Sequence, residues 1–176
     1  QNLTHDLQDG AIVPVFFGSA EHENGIHRLL KALRHETPEY TATLDRLGLD
    51  AEGDAVAQVF KTQHGAQSGK LSLARIWRGE FADSTSLNNT RISGIFKMFG
   101  AQHKKQSKAT PGEIVALGRL EGVQTGDTLS VSGTVEGPAW PAFLTPVYAL
   151  SIYAGRRDDE VKMATAMTKI IEEDPS

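Results

Sequence analysis

Between residues 55 and 131 the chain breaks into short β-rich runs, 57–61, 71–77, 85–88, 91–99, 113–120 and 128–131, and glycines punctuate them at Gly65, Gly69, Gly79, Gly100, Gly112, Gly122 and Gly126. No helical apolar spacing falls between these runs. Six or seven short strands with no helix between them can bury their apolar faces only as a sandwich or a closed barrel. Closure has the further merit of removing exposed strand edges that invite aggregation. The string TGDTL at residues 125–129 reads as a tight Gly-Asp turn re-entering a strand.

The two flanks obey a different grammar. Residues 11–17, AIVPVFF, predict a short buried strand, a glycine-containing turn follows over 18–25, and Ile26, Leu29, Leu30 and Leu33 recur at helical spacing. Pro38 disfavours the α conformation at Thr37, so that helix is expected to stop there. Residues 38–54 are polar and acidic, and read as a linker in which Leu44, Leu47 and Leu49 make at most a short helical turn. After a turn cluster at 133–141, Pro146 and Val147 open a predicted strand to about Tyr153. Val161, Ala164, Met167, Thr168 and Ile171 then mark an amphipathic helix over 160–171. Each flank is half of an αβ unit whose apolar face has no sheet to cover it, so the chain reads as an internal piece of something larger.

Composition narrows the function classes. The longest apolar runs are far short of the roughly 20 residues needed to span a bilayer, and with zero cysteines there are no disulfides or thiolate metal sites. No membrane association is expected, and the cytoplasm is the expected compartment. Residues 54–136 hold ten Lys and Arg against seven Asp and Glu, whereas the remainder holds eight against fifteen. The middle is therefore the part suited to meeting a polyanion.

Within that middle, Lys97, His103, Lys104, Lys105 and Lys108 gather around Gly100 beside Phe96 and Phe99, the pairing of bases and aromatics that a nucleic-acid surface uses. The plainer reading is a solvated hairpin with both phenylalanines turned into the barrel. The six histidines are scattered, with no spacing that converges on carboxylates, so no metal site is expected. Ser19, His22 and Glu23 lack an orienting group and an oxyanion site, which argues against a hydrolase. No catalytic residue is assigned. Trp77 and Trp140 read as packing residues.

Three stretches, in this order, resemble the elongation factor G-type translational GTPase family: PVFFGSAEHENGIHRLLKALRHETP at 14–38, the segments GKLSLARIWRGEF, RISGIFKMFG and PGEIVALGRLEGVQTGDTL between 69 and 129, and TPVYALSIYAGRRDDEVKMATAMTKIIEEDPS at 145–176. The resemblance implies a mainly β chain in four parts. Residues 1–40 would be the end of a P-loop GTP-binding domain, 41–54 a linker, 55–136 the translation-factor β-barrel called domain II, and 137–176 a linker with the first β-α unit of a ferredoxin-like domain III. It also implies that Ser19, Ala20 and Glu21 present backbone N–H groups to the guanine O6, and that Lys97, Lys104, Lys105 and Lys108 face ribosomal RNA. Asp83-Ser84 where the family has Gly-Asp, and YAGRRDDEV at 153–161 where it has a lysine-rich stretch, point to a divergent paralogue.

Neither a G-x-x-x-x-G-K-[ST] phosphate loop nor an Asn-Lys-x-Asp guanine reader is present. GTP and Mg²⁺ would therefore belong to the full-length parent, and this chain alone is expected to bind neither and to be inactive. The expected partners are the ribosome and the rest of the parent GTPase, and the expected role is GTP-driven elongation. An independent RNA-binding barrel, or a related GTPase in ribosome recycling or protection, is the alternative.

Overall fold

The computed structural model describes residues 3–65, 68–100 and 102–175, and the chain falls into two compact units, Gln1–Arg46 and Leu47–Ser176.

The second unit is built on two long antiparallel strands, β1 (Val56–Gly65) and β2 (Gly69–Arg78). Between them alternation sends Ala57 and Val59 of β1, and Ala74 and Ile76 of β2, into one fully buried apolar cluster. Register shifts between Val56 and Ala57 and between Val59 and Lys61 bend the pair, as bulges do. Two-residue β3 (Phe81–Ala82), β4 (Ser86–Leu87) and β5 (Thr90–Arg91) follow, then β6 (Ile95–Phe99), β7 (Gln102–Gln106), β8 (Lys108–Ala109), β9 (Ile114–Gly118) and β10 (Thr128–Ser130). Six of these form one antiparallel sheet in the order β10-β1-β2-β9-β6-β7.

The short strands close that sheet on itself. β8 continues the outer strand β7 and pairs with β3, Phe81 opposite Ala109. Seven residues after Phe81, Asn88 bonds the other outer strand: its Nδ2 donates to the Thr128 carbonyl at 2.8 Å, and its Oδ1 accepts from the Ser130 N–H at 3.0 Å. Residues 81–88 thus reach from one edge to the other, and the β-barrel expected from the glycine-punctuated runs is present. Phe81, Leu87, Ile92, Ile95 and Leu117 fill it with at most 1% of their surface exposed. Asp54 ties the start of the barrel to its end by accepting the Ser132 N–H at 2.9 Å. Hydrogen bonds from Ser132 hold its carboxyl below the ordinary range.

Several expected elements differ. Residues 91–99 do not form one strand but divide into β5 and β6, and β7 is an additional strand. The turn 125–129 does re-enter a strand: the Gly126 N–H donates to the Val59 carbonyl, the Asp127 carboxylate accepts the Gln124 N–H, and β10 begins at Thr128. Residues 146–153 form no strand, and Val147, Tyr148 and Leu150 are exposed.

In the first unit α1 (Leu3–Gln8), α2 (Ile26–Glu36) and α3 (Tyr40–Leu47) are helical. α2 stops where Pro38 requires it, with Thr37 already extended. α3 occupies much of what reads as a linker, and its Leu44 is buried. Residues 11–17 are not a strand, and Val13, Val15 and Phe17 lie exposed. The reason is the same as for 146–153: neither segment lies beside another strand among the described residues, the N–H groups of Ala11 and Ile12 turning back to the Asp6 carbonyl instead, and a strand exists only through the ladder that pairs it. The last helix of the chain, α4, runs Glu160–Glu173 after a 3-10 turn at Arg157–Asp159, and none of its residues is buried. No described helix is long and apolar enough to cross a membrane.

Candidate functional site

The Ser-Ala turn is a tightly closed loop. The Ser19 N–H donates to the Asn24 carbonyl at 2.9 Å, and the Glu23 N–H donates to the Ala20 carbonyl at 3.3 Å. Gly25 sits at φ 77°, and a Cβ built on it would lie 2.4 Å from the Phe17 carbonyl oxygen. Only glycine lets the chain fold back so closely before α2 begins. Ser19 is half-buried, whereas Ala20 and Glu21 are exposed. The N–H of Ser19 is spent inside the loop, while no hydrogen bond among the described residues engages those of Ala20 and Glu21. The loop can therefore offer two backbone donors to an acceptor such as a base carbonyl. Asp-x-x-Gly spacing does occur, at Asp45 to Gly48 and Asp50 to Gly53, but without the phosphate loop and at the end of α3 and just beyond it.

The basic cluster separates into two kinds of lysine. Lys105 pairs with Asp83 at 2.7 Å and Lys108 with Glu80 at 3.2 Å, so their charge is locally neutralised. Lys97 and Lys104 are direct cross-strand partners on β6 and β7, both exposed, with no ion pair among the described residues. Like charges placed opposite each other repel, and an external anion relieves that repulsion. Phe99 is 86% exposed at the tip of this hairpin, so it is not turned into the barrel. Phe96 is half-buried and meets the His103 ring edge-on at 5.3 Å. Trp140 packs over Gly126, and Trp77 lies beside the Arg75 guanidinium at 5.7 Å.

A third constellation went unread in the sequence. A groove lined by Lys61, Thr62, His64, Met98, His103 and Glu173 runs between the β1–β2 and β6–β7 hairpins. At its side Glu172 accepts from Lys70 Nζ at 2.9 Å and meets His64 Nε2 at 2.6 Å. The legible signal was parity: Lys70 and Ser72 fall on the same alternation as the core residues Ala74 and Ile76. Its partner, from the far end of the chain, carried no signal at all.

Burial pushes the Glu172 carboxyl up, but hydrogen bonds from Lys70 and His64 and their positive charge outweigh it, so its pKa lies below the ordinary 4.5. A depressed carboxylate stabilises the fold above the unfolded value and loses that contribution as pH falls through the folded one. Facing it are Lys70 and His64 from the barrel and Glu173 on its own helix. The stability advantage of the chain over its Glu172→Gln variant, measured by urea unfolding, is expected to be present above pH 4.5 and to be lost as pH falls below it. A difference that persists in acid would contradict this.

Residues 54–132 match the family model described as elongation factor G domain 2. Across 100% of its length the chain is 46% identical to an elongation factor G-like protein of Synechocystis sp., of which it covers 26%. It is 30% identical to an elongation factor G of Petrotoga mobilis and 28% identical to one of Jannaschia sp., in each case over 94% of this chain and 26% of the relative. A crystal structure from Thermus thermophilus shares the fold with a TM-score of 0.68 at 24% identity, over 88% of this chain and 24% of that one. The chain thus spans about a quarter of the length of the curated relatives it matches.

Proposed function

From the premise that this chain belongs to the elongation factor G family, its barrel being a domain 2, we infer that it serves a GTP-driven translation factor as the part that meets the ribosome. The complete protein would bind GTP with Mg²⁺ and use hydrolysis to drive elongation. This chain lacks a phosphate loop, and its own contribution to the nucleotide is one edge of the guanine pocket. There the N–H groups of Ala20 and Glu21, unengaged among the described residues, are suited to donate to the base carbonyl, with Ser19 holding the loop closed. Backbone donors fixed by a tight turn need no reorganisation when the base arrives, which favours binding.

The observation that carries ribosome contact is the β6–β7 hairpin, where Lys97 and Lys104, unpaired among the described residues, stand opposite each other below exposed Phe99. Phosphates of structured RNA would neutralise the two lysines, and the phenyl ring would stack or pack at the tip. Lys105 and Lys108, already paired with Asp83 and Glu80, would contribute less.

The test is ribosome binding by the complete protein across a salt series. The double variant Lys97→Glu/Lys104→Glu is expected to bind more weakly and to flatten the plot of log affinity against log salt by about 1.5, given roughly 0.7 to 0.9 per lost phosphate contact. Lys105→Glu/Lys108→Glu is expected to change the slope less. Equal slopes in all three proteins would remove the hairpin from the interface.

A further inference from the structure

One face of the β1–β2 ribbon changes character along its length. Lys70, Ser72, Ala74 and Ile76 alternate onto the same face of β2. Ala74 and Ile76 belong to the apolar cluster, while beyond them the cross-strand pairs are Thr62 with Ser72 and then His64 with Lys70. A basic pair thus stands where the apolar interior ends, and the Lys70 side chain is only 4% exposed. An ammonium so far removed from water requires a counter-ion.

That counter-ion comes from the last turn of α4. Glu172 bridges the two side chains, one oxygen to each, and the neighbouring Glu173 carboxylate accepts the backbone N–H of His64. Met163 is half-buried, and no other hydrogen bond or ion pair joins the helix to the barrel among the described residues. No residue of α4 is buried, and Val161, Ile170 and Ile171 are all more than half exposed. Residues 146–153, which precede it, form no strand and pair with nothing among the described residues. A helix held on a barrel by apolar burial separates only at the cost of wetting that surface, whereas this one is held by its acidic end.

We propose that the acidic end of α4 is a releasable electrostatic latch, in which Glu172, set between His64 and Lys70, decides whether the helix lies on the barrel or swings free of it. The two states exchange one small set of charged contacts and leave the barrel core untouched. Releasing the helix returns the His64–Lys70 pair to water, so the latched state is favoured at low ionic strength and by whatever keeps Glu172 ionised. Such a joint lets the segment that follows the barrel move as a body without unfolding either part.

The chain contains no cysteine, so spin labels at exposed Glu121→Cys on the barrel and Ala166→Cys on α4 report one distance by pulsed electron resonance. In the otherwise unaltered chain a single narrow distribution is expected. Glu172→Lys, which sets a second ammonium against Lys70 beside His64, is expected to replace it with a broad and longer one while far-UV circular dichroism shows the same helix content. If helix content falls in that variant, Glu172→Gln, which keeps the shape without the charge, must broaden the distribution with the helix intact. A narrow distribution that survives Glu172→Lys, or survives Glu172→Gln where that variant decides, overturns the latch. So does a broad distribution in the unaltered chain.

Discussion

Phe81→Ala is expected to lower the unfolding stability of this chain by about 3 to 5 kcal/mol, the cost of deleting a fully buried phenyl ring and leaving a cavity behind it. Phe81 is 0% exposed, and it starts the segment that joins the two edges of the sheet, pairing with Ala109 while Asn88 reaches Ser130 and Thr128. Loss of packing there strikes the interior and the closure together. Against a domain stability of roughly 5 to 15 kcal/mol this is a large fraction. Urea unfolding followed by the fluorescence of Trp77 and Trp140, both in the barrel unit, should show an earlier midpoint with an unchanged slope. Phe99→Ala is the control, since Phe99 is 86% exposed and its loss should stay within about 0.5 kcal/mol. Equal midpoints for the two variants would mean that Phe81 does not occupy the interior.

Gly25→Ala is expected to raise the dissociation constant of the complete protein for guanine nucleotide about tenfold or more. Two costs combine at this position. An L residue at φ 77° incurs roughly 1 to 2 kcal/mol for the left-handed conformation, and here the new Cβ would also lie 2.4 Å from the Phe17 carbonyl oxygen and 3.1 Å from the Gly18 Cα. Because those atoms are backbone, the turn carrying Ser19, Ala20 and Glu21 must shift, and the donors aimed at the base shift with it. Each 1.4 kcal/mol is about a factor of ten in affinity. Gly10→Ala separates the two costs: Gly10 has φ 72° and nothing within 4 Å of the added methyl, so it carries the conformational cost without the collision. Titration calorimetry of both variants with GDP decides the matter. Equal, undiminished affinity in the Gly25 variant would take the loop out of the nucleotide site.

These expectations rest unevenly on sequence and structure. The basic cluster around Gly100 was visible as composition, yet its division into paired Lys105 and Lys108 and, among the described residues, unpaired Lys97 and Lys104 was not. That division depends on Asp83 and Glu80, which precede the hairpin by a dozen residues or more and reach it only through the β3–β8 pairing. The Ser-Ala turn was visible as a motif following an apolar run. What became of the run itself, 11–17, depended on a ladder partner, and no local pattern can report whether a partner is there.

What the sequence by itself determined is the local and periodic part of the molecule. Glycine-punctuated runs required strands without helices, apolar residues at three- and four-residue steps required α2 and α4, and Pro38 set the end of α2. Each follows from backbone sterics and from the two side-chain periods, which act within a few residues. Only the tertiary structure decided how residues 81–88 close the barrel, which of the described lysines keep an unpaired charge, and where the buried ammonium of Lys70 finds its anion. The Lys70–Glu172 contact joins residues about a hundred positions apart, and the burial that makes it obligatory exists only in the folded chain, where the barrel and α4 meet.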